Sequence, residues 1–140
     1  MRLDVYQAET ARIALEQSAL LKEARQHLSN GRRLSPLEQN GVLHALQVLI
    51  ENAIGKAKQL IKARNESVPI AAYDAFNTLV RLGIIPQDQM SLWAPIIGLR
   101  NRIVHDYMNI DLKLVNALVQ NEDYLFAVDF LMREIPNEWL

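Results

Sequence analysis

Ser35-Pro36-Leu37-Glu38 marks the start of a helix more firmly than any other local pattern in this chain. A serine at the N-cap accepts a backbone N–H from the residue three positions on, and a glutamate at that position returns the bond, while a proline at the first helical position has no N–H to waste. Just upstream lies Ser29-Asn30-Gly31, a run of small, polar and φ-permissive residues of the kind that stops a helix. Before the stop, Leu3, Tyr6, Ile13, Leu20, Leu21, Ala24 and Leu28 roughly keep a helical period with charges between them. After the start, Leu43, Leu46, Leu49, Ile50, Ala53, Ile54, Ala57, Leu60 and Ile61 form a second apolar face, which polar residues from Arg64 to Ser67 end. Two long helices joined by so short a connection must pack antiparallel.

The remaining chain extends this pattern. Pro69 opens a shorter helix with Ala72, Phe76, Leu79 and Val80 on one side and Gly83 as its stop. A further helix is expected from about Asp88 to about Tyr107, kinked near Pro95, where one backbone donor is missing. Asp111 is placed to cap a last helix whose stripe of Leu114, Val115, Leu118, Leu125, Phe126, Phe130 and Leu131 ends before Pro136. Half of the residues are hydrophobic and only five are Gly and five Pro, a composition too poor in turns for a β-sandwich and too apolar for disorder. The expectation is one all-α domain over residues 1–140, a helical bundle of four long helices plus a short one.

Composition also excludes several classes of chemistry. With no cysteine there is neither a disulfide framework nor a thiolate metal site. The N-terminus enters a charged helical pattern directly and no run reaches the ~20 apolar residues of a membrane span, so a cytoplasmic protein is expected. Fifteen basic and sixteen acidic residues argue against broad, non-specific binding to nucleic acid. Any phosphate site has to be local.

The one dense cluster of chemistry-bearing side chains is Arg100-Asn101-Arg102-Ile103-Val104-His105-Asp106-Tyr107. Arg100 and Arg102 suit phosphate oxygens, a histidine titrates near neutrality, and a tyrosine can donate a hydrogen bond or accept a covalent group. No carboxylate pair or metal-ligand spacing accompanies them. On a continuous helix Arg100 and His105 lie about 140° apart. Asn101 and His105 share a face, as do Arg100 and Tyr107. Either the helix ends or distorts near His105, or a second copy of the chain completes the site.

Gly98 to Tyr107 resembles the Arg-x4-His-x-Tyr motif of HEPN domains, in particular the HepT-type toxins that pair with minimal nucleotidyltransferases. The run from Ala45 to Ile54 and the stop Leu82-Gly83-Ile84-Ile85-Pro86 are similar to that family as well. The resemblance implies an all-α up-and-down bundle that forms a homodimer whose two motifs line one cleft, and a ribonuclease that needs no metal or other cofactor. In it the RNA 2′-hydroxyl attacks the neighbouring phosphate, leaving a 2′,3′-cyclic phosphate. Arg100 would stabilise the charge on that phosphate and His105 would act as base or acid, or orient the reacting groups. Asn101 would position phosphate or imidazole. Arg102 and Tyr107 would contact RNA, and Tyr107 would receive AMP from the antitoxin nucleotidyltransferase. The alternative is a catalytically silent HEPN module that binds a nucleotide or a partner.

Other residues are expected to be structural. His44 reads as partly buried, His27 as surface, Arg32-Arg33 as a solvated turn, and Trp93 and Trp139 as packing residues near helix ends. A phosphotransfer histidine is disfavoured because Asp106, Tyr107 and Met108 follow His105 rather than a basic residue. The Glu-x-x-His pairs of a di-iron bundle do not occur.

Overall fold

The computed structural model describes residues 2–136, and Trp139 and Leu140 lie outside them. The described residues form an all-α bundle: α1 (Leu3–Ser29), α2 (Pro36–Ala63), α3 (Ala72–Arg81), α4 (Met90–His105), α5 (Leu112–Gln120) and α6 (Leu125–Met132). Short 3-10 turns, Gln87–Gln89 and Tyr107–Asn109, precede and follow α4. The helix α2 is the axis of the bundle. It packs against α1, α3, α4 and α6, and buries the apolar face read from the sequence.

The capping box is present in full: Ser35 Oγ accepts the N–H of Glu38 at 3.1 Å, and the Glu38 carboxylate accepts the N–H of Ser35 at 2.8 Å. Arg32 forks onto the same carboxylate at 3.0 and 2.5 Å, so the turn read as solvated is pinned to the start of α2. That fork first, and the Ser35 amide second, hold the Glu38 carboxyl down to about 2. His27 is drawn in as well, because its Nδ1 accepts from Arg32 Nε at 3.3 Å. His44, expected to be partly buried, is instead exposed: it lies on the side of α2 away from the buried Leu43, Leu46 and Ile50.

One device ends four of the helices. At the end of α1, Gly31 (φ +76°) donates to Leu28 O and Arg32 to His27 O, the paired bonds of a Schellman motif. Gly83 does the same after α3, Asn65 (φ +57°) after α2 and Glu122 (φ +56°) after α5. The last case corrects the expectation of a single final helix. Glu122 takes the left-handed conformation despite its side chain, and Arg25 of α1 holds the break by donating to Gln120 O at 2.9 Å and approaching the Glu122 carboxylate at 3.5 Å. With the chain redirected there, Leu114 is left largely exposed, while Val115 and Val119 carry the packing of α5.

Trp93 is fully buried and stacks on Phe76 with ring centroids 4.0 Å apart, while Phe126 and Phe130 meet it edge-on at 4.7 and 5.3 Å. These rings join α3, α4 and α6 and fix the position of α4. The helix runs through Pro95, whose ring faces solvent. Lys56 is buried beside Phe130, its ammonium 5.3 Å from that ring's centroid. Its ammonium donates to Phe130 O, Leu131 O and Arg133 O at 2.7, 3.4 and 2.5 Å, closing the end of α6. Burial, and secondarily the Arg133 charge, bring its pKa down to about 8. No helix among the described residues is long and apolar enough to cross a membrane.

Candidate functional site

Trp93, Ile96, Ile97 and Ile103 turn one side of α4 into the core, with Leu99 half-buried beside them. The opposite side of its last two turns then has to carry Asn101, Arg102, Val104 and His105, all exposed. Arg100 sits at the margin between the two sides. It is half-buried, and its Nε is shielded from solvent without a hydrogen-bond partner among the described residues. A guanidinium N–H held this way can donate to an acceptor that the described residues do not supply.

The helix stays regular up to His105, and the N–H of Asp106 still bonds Arg102 O at 2.8 Å. The angle of about 140° between Arg100 and His105 is therefore retained. Asp106 then leaves the helix (φ −147°, ψ 48°), and its carboxylate accepts from Asn109 Nδ2 at 2.7 Å, closing the 3-10 turn. Arg102 reaches under that turn toward Asn109 O at 3.5 Å. Asn101 and His105 share a face as expected. Arg100 and Tyr107 do not, because their seven-residue relation requires a helix that has already ended.

The turn carries Tyr107 away from α4 and onto the start of α2. Its hydroxyl donates to Asn40 Oδ1 at 2.8 Å, and the ring is about half exposed. No sequence signal pairs these residues, which lie 67 positions apart. Tyr107 also forms one wall of an open groove of about 1080 Å³ between the α1–α2 connection, the first turns of α2, and α5. Arg32, Arg33 and Lys113 line that groove together with apolar side chains and no carboxylate. Six of the fourteen large apolar residues exposed among the described residues, Leu92, Val104, Tyr107, Met108, Leu112 and Leu114, fall on α4 and the segment after it.

Residues 14–131 match the family described as Ribonuclease HepT-like. The chain is 30% identical over 98 residues to the mRNA nuclease HepT of Shewanella oneidensis, an alignment that spans 69% of this chain and 74% of that protein. Among solved structures it resembles the tri-AMPylated Shewanella oneidensis HEPN toxin in complex with MNT antitoxin, with a TM-score of 0.65 and 25% identity over 87% of this chain and 98% of that one. A toxin–antitoxin complex with AMP-PNP has the same fold, with a TM-score of 0.63 at 23% identity over 85% and 97% of the two chains.

Proposed function

This chain belongs to the HepT-like ribonuclease family, and on that premise we propose that it is an RNA-cutting toxin silenced by a nucleotidyltransferase antitoxin that adds AMP to Tyr107. One observation carries the assignment of the site. The last two turns of α4 present Asn101 and His105 to solvent beside an Arg100 whose shielded Nε–H has no acceptor among the described residues.

The chemistry follows from those groups. The RNA 2′-oxygen forms a bond to the adjacent phosphorus, the bond from phosphorus to the 5′-oxygen breaks, and the products are a 2′,3′-cyclic phosphate and a 5′-hydroxyl. Arg100 meets the charge that grows on the non-bridging oxygens, where a fixed guanidinium in a partly dry cleft acts most strongly. His105 moves the proton, taking it from the 2′-hydroxyl or giving it to the leaving oxygen. Asn101, one turn before His105 on the same face, holds phosphate or imidazole in place. Arg102 lies at the edge of the same surface and adds positive charge for the RNA backbone.

Arg100 and His105 of one chain point too far apart to grip one phosphate, so the reacting pair is assembled from two copies. The exposed apolar residues in and beside the motif, Val104 and Met108 in particular, are the surface such a homodimer would cover. An adenylate on Tyr107 brings a phosphate and a bulky base next to that cleft, which repels and excludes RNA.

The test is incubation of purified, unmodified protein with RNA in EDTA beside His105→Ala. Cyclic-phosphate ends from wild type alone are expected. Equal inactivity of both proteins, shown by mass to carry no AMP, would favour a silent interaction module instead.

A further inference from the structure

We propose that the groove beside Tyr107 is a nucleotide seat: an adenylate joined to Tyr107 lies back into it, with its phosphate held by Arg33 and Lys113. The inference rests on the reading of Tyr107 as the modified residue and assigns a second set of side chains to the modified state.

The groove's charge is the first reason. Three cations and no carboxylate line it, in a chain whose net charge is −1. Of the three, Arg32 is already committed to Glu38 through both arms of its fork. Arg33 and Lys113 are exposed, and no hydrogen bond or ion pair engages either side-chain cation among the described residues. Both line the groove from different elements, Arg33 from the α1–α2 connection and Lys113 from the first turn of α5. A phosphodiester has one negative charge and two free oxygens, and two such cations match it.

Shape and floor are the second reason. A volume of about 1080 Å³ slightly exceeds the ~300–1,000 Å³ typical of small-molecule sites, which is ample for a nucleoside monophosphate. Leu34, Leu43 and Ile110 supply apolar surface for a purine face. Gln39 and Asn116 exchange reciprocal amide bonds across the floor at 3.0 and 3.1 Å, joining α2 to α5 and leaving amide lone pairs for a base edge.

The third reason is attachment. Tyr107 is itself a wall of the groove, so a nucleotide bonded to its hydroxyl begins there. In the transfer, Tyr107 Oη bonds the α-phosphorus of ATP, the bond from that phosphorus to the β-phosphate oxygen breaks, pyrophosphate leaves, and the phenol proton passes to a base of the transferase. Tyr107 then has no proton to give Asn40.

The experiment compares wild type with Arg33→Ala/Lys113→Ala, each adenylylated with ATP and the cognate nucleotidyltransferase. Modification at Tyr107 is first verified by peptide mass. Snake-venom phosphodiesterase is then added and AMP release is timed. A seated adenylate is protected, so release from the double variant should be roughly tenfold faster, while a Lys22→Ala control on α1 should match wild type. If the double variant accepts no adenylate, Arg33→Ala and Lys113→Ala are compared singly. Equal release rates with adenylate present on Tyr107 overturn the seat and leave the modification standing. Equal rates combined with weaker RNA cleavage by the unmodified double variant give the groove to RNA instead. Absence of adenylate from wild-type Tyr107 overturns both readings.

Discussion

Tyr107 donates its phenol proton to Asn40 across 2.8 Å, tying the turn after α4 to the start of α2. The bond exists only while the oxygen carries a proton, so any group added to that oxygen removes it. A double-mutant cycle of Tyr107→Phe and Asn40→Ala in urea should show a coupling of about 0.5–1.5 kcal/mol. The same Asn40→Ala substitution in adenylylated protein should cost clearly less, because the bond is already gone. Equal costs in the two forms would show that the modified residue is not Tyr107.

Glu122 ends α5 in a left-handed conformation that costs a residue with a side chain roughly 1–2 kcal/mol relative to glycine. Glu122→Gly removes that cost and loses an exposed ion pair with Arg25 worth roughly 0–1 kcal/mol. The variant should match wild type or exceed it by about 1 kcal/mol in chemical denaturation. Were residues 111–135 one continuous helix, the glycine would instead destabilise by about 1 kcal/mol.

The Arg32 fork and the Ser35 amide hold the Glu38 carboxyl at about 2, below its ordinary 4.5. The folded chain therefore binds this proton later than the unfolded chain as pH falls. Its contribution to stability is complete above about pH 4.5 and is lost on the way down to about 2. Denaturation midpoints of wild type and Glu38→Gln should converge between pH 5 and 3. Midpoints that stay parallel would mean the fork does not act in solution.

Lys56 shifts the opposite flank. Its folded pKa of about 8 lies below the ordinary 10.5, so the folded chain releases this proton first as pH rises. Between those values the unfolded state holds more protons, and this group's share of the stability grows with pH. Lys56→Met should destabilise by about 1–3 kcal/mol at pH 7, because the carbonyls that end α6 lose their donor. The gap between the two proteins should widen from pH 7.5 to 9.5 in guanidinium titrations, and a constant gap would contradict the buried-ammonium account.

Much of the fold was legible where local chemistry decides it. Ser35, Pro36 and Glu38 act within one turn, Gly31 and Gly83 take the positive φ that glycine permits, and Asp111 caps α5 as read. The break at Glu122 was not legible, because glutamate has no preference for the left-handed region and the Arg25 contacts that hold it come from 95 and 97 residues away. The burial of Lys56 was not legible for the same reason: it depends on the carbonyls at the end of α6, not on its own helix. In the candidate site, the motif residues were visible as a cluster, and the end of the helix near His105 was one of two open solutions. The partner of Tyr107 and the cationic groove were not, since Asn40, Arg33 and Lys113 meet only through tertiary packing.

The claim that one reacting centre is built from two copies has a direct test. Arg100→Ala and His105→Ala, each inactive alone, are mixed, partly unfolded and refolded together, and assayed for RNA cleavage in EDTA. If each centre takes its arginine from one chain and its histidine from the other, half of the randomly paired dimers keep one intact centre, and about a quarter of wild-type activity returns. No recovery, with heterodimer shown by differential tagging, would contradict a centre shared between the chains.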